Sequence, residues 1–254
     1  MEEPKPSLQH MNYSDVRMIY GNLVREKFGP KIAILEVIEA GTPPGIYETA
    51  MGFYVHLLYS MKLAYGFFCV TERHWWVVFQ KFFRRHCVVA HSLKDYDYVL
   101  FMDADIGVVN PQRLIEEFLD LQADIVFYDR FYNWEVTAGT YIAKNSHWSR
   151  AFLHGRFFAA YLVELLVPKS VDLPECMLIY NNSKSYASLF LFEACIRKIL
   201  GYGTHFGNVR IMRKGTGWAR DHRMTNSKWS KETDFMIHNW KMKYQRIYNS
   251  TPIP

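Results

Sequence analysis

Five consecutive apolar residues, Tyr98 to Met102, run straight into Asp103-Ala104-Asp105. An unbroken apolar run of this length fits a strand buried on both faces, and such strands belong to sheets covered by helices on both sides. The rest of the chain repeats that theme. KIAILEVIEA, from Lys31, reads as the first strand and ends in the turn signal GTPPG. Residues 47–64 carry an apolar face at helical spacing, and YGFFCV (65–70) reads as a second strand. Residues 75–93 read as a helix with Lys81, Arg84 and Arg85 set between its apolar positions. Beyond the 98–102 strand, Asn110-Pro111 marks a helix start, ADIVFYD and residues 137–145 read as strands, and WSRAFLHG begins a helix. Residues 157–200 read as mostly helical, with breaks near Pro168 and Pro174. FGNVRIM is a strand leading into the basic, glycine-containing loop RKGTGWARD, and DFMIHNWK closes the folded part. This alternation predicts an α/β fold with a mainly parallel twisted sheet flanked by helices. No repeat or linker divides the chain. The reading is therefore a leader over 1–29 with a short helix, a single domain over 30–246, and a tail over 247–254.

Composition narrows the class. Half of the 254 residues are apolar, enough for a sizeable core and too many for a disordered chain. The net charge of +5 is dispersed and too mild for a nucleic-acid binder. Cys69, Cys87, Cys176 and Cys195 form no CxxC pair, so no zinc site is expected. They read as small buried hydrophobes, with Cys176 and Cys195 able to pair if the protein is luminal. Sequons begin at Asn12, Asn181 and Asn249 and matter only in a luminal or secreted setting. The polar start MEEPKPSLQHMNYSD is unlike a secretory leader, and no apolar run is long enough to span a bilayer.

Chemistry concentrates where the apolar run ends. Open α/β sheets bind ligands beyond the carboxyl ends of their strands. In extended chain Asp103 and Asp105 point the same way and offer hard oxygens to Mn²⁺ or Mg²⁺. Such an ion bridges a diphosphate and offsets the charge of a leaving nucleotide. Gly107 is expected to let the chain turn away. A phosphatase of the haloacid-dehalogenase type also places aspartates after a strand. It wants Thr or Val two residues past the second Asp, where this chain has Gly107, and it needs later paired aspartates that are absent.

The blocks FRRHCVVAHSLKDYDYVLFMDADIGVVNPQRLIEEF, DIVFYDRFYNWEVTAGTYIAKNSHWSRAFL, VRIMRKGTGWARD and DFMIHNWK carry a resemblance over roughly residues 31–245. Together they resemble a family of nucleotide-diphospho-sugar transferases of the GT-A type, itself similar to the galactosyl/mannosyltransferases of the fungal galactomannan type. The resemblance implies a metal-dependent hexosyltransferase that moves galactose or mannose from a nucleoside-diphosphate sugar to a glycan or glycoprotein hydroxyl. It implies Asp103 and Asp105 as catalytic and metal-binding residues, with His238 completing the coordination. Lys81, Arg84, Arg85, Ala138, Gly139, Lys214, Gly215 and Gly217 become donor-binding candidates. Asn133 and Trp134 become acceptor or sugar contacts, and Glu135 a catalytic candidate. A Golgi or secretory lumen is the implied location.

The sequence departs from that family at one informative place. Where the family carries an Asp-Asn-Gly-like motif after the WSxxFL helix, LHGRFFAAYLVELL runs straight on after Gly155, with Glu164 the only nearby carboxylate. The alternative expectation is accordingly a pseudoenzyme that binds a nucleotide sugar or glycan without turnover.

Overall fold

The computed structural model describes residues 29–39, 65–72, 81–131, 133–155, 163, 166–221, 230 and 232–239. The expected helices over 1–29 and 47–64 lie outside the described residues, as do Glu164, Asn12 and Asn249.

Two sheets form. The larger contains β1 (Ile32–Glu39), β2 (Tyr65–Glu72), β3 (Tyr98–Met102), β5 (Ile125–Tyr128), β6 (Thr140–Lys144), β7 (His205–Phe206) and β8 (Val209–Met212). Its order is β2-β1-β3-β6-β5-β8-β7. The pairs β1–β2, β1–β3 and β5–β8 are parallel, while β6 runs against both β3 and β5, and β7 against β8. Five strands thus share one direction and β6 and β7 oppose it, which makes the sheet mainly parallel but mixed. The smaller sheet has the order β4-β10-β9, from β4 (Ile106–Val108), β9 (Ala219–Asp221) and β10 (Met236–His238).

Strand β3 accounts for the apolar run that marks it. Val99 and Phe101 enter one core with Leu35, Val89, Leu93 and Tyr141, whereas Tyr98, Leu100 and Met102 enter the opposite core with Ile34, Phe118, Trp218 and Phe235. All five are buried, so neither face tolerates a polar residue. Each such side chain taken fully out of water contributes about 1.5–3 kcal/mol. Helix α1 (Lys81–Ser92) crosses between the parallel strands β2 and β3 and contributes Val88 and Val89 to the first core.

Two local expectations change. Asn110-Pro111 does not start an α-helix. Asn110 Oδ1 accepts from the Gln112 N–H at 3.1 Å, and the Val109 and Asn110 N–H groups are tied to Phe235 O, so only a 3₁₀ turn over Ile115–Phe118 follows. The helical region is broken at 167–172, beside Pro168 and Pro174 as expected, and Pro174 sits in the first turn of α3 (Leu173–Asn182), where its missing N–H is no loss. A further, unexpected break falls at Ser183–Ser185, because Ser185 and Ser188 cap α4 (Tyr186–Leu200) reciprocally, with the Ser188 N–H donating to Ser185 Oγ at 3.2 Å. The cysteine pair that the sequence allows for a luminal protein is formed. Cys176 on α3 and Cys195 on α4 form a disulfide, and Cys87 on α1 is a free thiol. Helix α2 (His147–Gly155) follows β6 as expected.

Candidate functional site

Asp103 stands at the carboxyl end of β3, and its N–H donates to Gly139 O at 2.8 Å on the segment entering β6. That contact is close. A Cβ on Gly139 would lie 2.5 Å from Asp103 Oδ2, so the glycine is what admits the carboxylate here. Asp103, Ala104 and Asp105 are not extended. The Ile106 N–H donates to Asp103 O at 3.0 Å, closing a tight turn that leads into β4. Gly107 does not turn the chain away either; it lies within β4, opposite Ile237 of β10.

The small sheet completes the cluster. Antiparallel pairing of β4 with β10 sets His238 opposite Ile106, and parallel pairing of β10 with β9 sets His238 beside Asp221. As a result His238 Nε2 lies 3.5 Å from Asp105 Oδ1, and one ligand atom from each of Asp103, Asp105 and His238 falls within 4.8 Å of the others. The other ring nitrogen, Nδ1, lies 3.2 Å from Asp221 Oδ1. A carboxylate on Nδ1 orients the ring and leaves Nε2 to point at a cation. The donor set of two carboxylates and one imidazole suits Mn²⁺ or Mg²⁺. Behind it lies Glu36 of β1, which is fully buried and in register with Met102. Neither of its carboxylate oxygens has a hydrogen-bond partner among the described residues. Burial, then the charges of Asp103 and Asp105, push its carboxyl well above the usual range. The close grouping of Asp103 and Asp105 with His238 fits a divalent ion.

A polar chain leads away from His238. Asp221 accepts from Arg130 Nη2 at 2.6 Å, Arg130 Nη1 pairs with Glu135 Oε2 at 2.8 Å, and Asn133 Nδ2 donates to Glu135 Oε2 at 3.2 Å and to Glu193 Oε2 at 3.0 Å. Burial pushes the Asp221 carboxyl up, but the hydrogen bonds from His238 and Arg130 outweigh it and hold it at about 2. Burial pulls the His238 imidazole down, yet the Asp221 hydrogen bond and the Asp105 charge raise it above the ordinary value. Burial raises Asp103, partly opposed by Arg85 and His238. Glu193 is pushed up to about 7 by burial and by the nearby Glu135 charge.

The other sequence candidates divide. Arg85 forms an ion pair with Asp103. Lys81 and Arg84 lie on α1, but their side chains are outside the described residues. Ala138 adjoins Gly139 in the segment before β6. Lys214 Nζ sits 4.5 Å from the Trp134 ring centroid and donates to Asn133 O at 2.5 Å. Trp134 is 53% exposed, so it is not core packing. Gly215 takes φ +78°, which a side chain would strain, and Gly217 packs against the Tyr128 ring. A cavity of about 480 Å³ opens beside this loop, with Phe131, Gly215, Trp218, Asp221 and Arg113 in its wall.

Sequence reasoning passed over Arg130, Asp221, Glu193 and Glu36. The first three carry no local pattern that marks them. Glu36 left a usable signal, a lone carboxylate in the middle of the apolar run IAILEVIE.

A protein family described as "Protein of unknown function, DUF273" matches residues 57–171 and 157–253. No curated protein matches the chain. Among solved structures, the chain is similar to a glycosyltransferase involved in the glycosylation of the major capsid of PBCV-1, with 15% identity, a TM-score of 0.48 and coverage of 87% of this chain and 98% of that one. The galactosyltransferase LgtC in complex with donor and acceptor sugar analogs gives 11% identity, a TM-score of 0.43 and coverage of 87% and 97%. The catalytic domain of Drosophila beta1,4galactosyltransferase 7 in complex with xylobiose gives 12% identity, a TM-score of 0.39 and coverage of 85% and 73%.

Proposed function

We infer the function of a chain that belongs to the family described as "Protein of unknown function, DUF273": it is a metal-dependent glycosyltransferase of the GT-A type. It moves a hexose of the galactose or mannose class from a nucleoside-diphosphate sugar to a hydroxyl of a glycan or glycoprotein. The observation that carries this reading is the meeting of Asp103, Asp105 and His238 at the carboxyl end of β3, with His238 oriented by Asp221. The sequence blocks that resemble nucleotide-diphospho-sugar transferases support it, including those similar to the galactomannan type.

Asp103, Asp105 and His238 would hold Mn²⁺ or Mg²⁺. When bound, the ion supplies charge that stabilises the departing diphosphate. Arg85, already paired with Asp103, sets a fixed cation at the same edge, and Lys81 and Arg84 belong to the same helix. Ala138 and Gly139 let the donor approach closely, while Lys214, Gly215 and Gly217 form the loop assigned to its phosphates.

In the transfer the acceptor oxygen bonds to the anomeric carbon, the bond from that carbon to the diphosphate oxygen breaks, and the acceptor hydroxyl loses its proton. Glu135 is the group assigned to that proton. Its Oε2 is engaged by Arg130 and Asn133, and Oε1 takes no partner among the described residues. The exposed Trp134 ring, steadied by Lys214, offers a sugar-stacking face, Asn133 orients Glu135, and the cavity beside Asp221 is the space for the acceptor. A secretory lumen such as the Golgi is the assigned compartment. No described helix is long and apolar enough to cross a membrane.

The test is calorimetry of UDP and GDP binding, with and without Mn²⁺, on the wild type and Asp105→Ala. Metal-dependent binding that the variant loses supports the site. Equal metal-dependent binding by a folded Asp105→Ala chain removes it.

One observation favours a second reading, a binding module without turnover. The sequence runs straight on after Gly155, where the family it resembles carries an Asp-Asn-Gly-like motif. Intact nucleotide binding with no transfer to any of a panel of glycan acceptors would select it.

A further inference from the structure

We propose that Asn181 is an N-glycosylation site, and that the α3–α4 hairpin carrying it is built for an oxidising secretory lumen. Asn181-Asn182-Ser183 is the sequon that falls within the described residues. It lies at the last turn of α3, and Asn181 is exposed. Its neighbours are engaged: Asn182 Nδ2 donates to Leu178 O at 2.9 Å and Ser183 Oγ to Ile179 O at 2.8 Å. No hydrogen bond of the Asn181 amide appears among the described residues. A glycan there displaces no contact.

Two independent features point the same way. Cys176 is fully buried on α3 and bonded to Cys195 on α4, with Cα atoms 5.6 Å apart. Cys176 lies in the same helix as the sequon, five positions before Asn181. Structural disulfides form and persist in oxidising compartments and are rare in the cytosol. The hairpin surface is also unusually apolar. Leu178 is 63% exposed, Tyr186 81% and Leu191 63%, and Leu178 shares a helix face with Asn181 at i, i+3 spacing. A polar glycan on that face would screen apolar surface that is otherwise open to association.

The chemistry balances with two co-reactants of the lumen. The Cys176 and Cys195 thiols give two electrons and two protons to a disulfide-bearing oxidant, which leaves as a dithiol. Asn181 Nδ2 bonds to the anomeric carbon of an oligosaccharyl diphosphate, the bond from that carbon to the diphosphate oxygen breaks, and the amide loses one proton. Both steps are independent of any sugar transfer at Asp105.

The experiment uses the full-length protein recovered from cells that make it, digested with trypsin without reduction. One peptide, Ser170–Lys184, contains both Cys176 and Asn181, and the next, Ser185–Arg197, contains Cys195. The expected result is the two peptides joined by a disulfide. Most copies should carry a glycan that peptide N-glycosidase removes, converting Asn181 to Asp. Asn181→Gln and Ser183→Ala should lose the glycan entirely, and Ser183→Thr, which keeps the acceptor motif, should retain it. Unmodified Asn181 in the recovered protein overturns the proposal, whether the cysteines are joined or free. A glycan that survives Asn181→Gln in the Ser170–Lys184 peptide overturns it as well.

Discussion

His238 Nε2 lies 3.5 Å from Asp105 Oδ1, although Asp105 sits in the turn before β4 and His238 in β10, far along the chain. The β4–β10 register makes that meeting, and the β10–β9 register adds Asp221 on the far side of the imidazole. Replacing Asp221 should therefore act through His238. Asp221→Asn is expected to weaken Mn²⁺ binding about 10–100-fold while the far-UV spectrum stays unchanged. His238→Ala should weaken it at least as much. Manganese titration by calorimetry checks both. An Asp221→Asn chain with wild-type affinity would show that the ring needs no support.

Gly139 faces Asp103 too closely for a side chain, with 2.5 Å from a Cβ to Oδ2. Gly139→Ala should lower stability by about 1–3 kcal/mol, the usual range for forcing atoms into a packed site. It should also displace the Asp103 carboxylate and reduce metal affinity. Urea denaturation reads the first effect and metal titration the second.

Glu193 gives a pH dependence whose sign is fixed. Its carboxyl is raised to about 7 from the ordinary 4.5, so the folded state binds the proton more tightly than the unfolded chain does. That contribution is complete below pH 4.5 and is lost as pH rises through about 7. Glu193→Gln removes the titration. Its unfolding free energy, relative to wild type, should improve by about 1–2 kcal/mol between pH 5 and pH 8. A difference that does not change with pH would separate Glu193 from the Glu135 charge.

The disulfide closes a short loop between α3 and α4, with a sequence separation of 19. The Cys176→Ala/Cys195→Ala double variant should be less stable by about 2–4 kcal/mol. Thermal unfolding under non-reducing conditions measures this. The site around Asp105 should keep its metal affinity, because neither helix supplies one of its ligands.

The sequence by itself determined the sheet and the position of the acidic pair. Burial on both faces leaves an unbroken apolar strand, and that signal needs no partner to be legible in Tyr98–Met102. It also named His238, through the resemblance of DFMIHNWK to a known family. The tertiary structure decided what depends on partners distant in the chain. Asp103 to Ile106 form a turn rather than an extended segment because β4 must swing across to pair with β10. Asn110-Pro111 fails to begin a helix because Phe235 O captures the backbone there. Asp221 carries no local mark until β9 lies beside β10 and sets it between His238 and Arg130. The Cys176–Cys195 pair was open to the sequence as a possibility, and the packing of α3 on α4 brings it together. Local periodicity records which face of an element is dry. It does not record which distant charge that face will meet, since the energy of an ion pair or a register is set by residues that sequence order keeps apart.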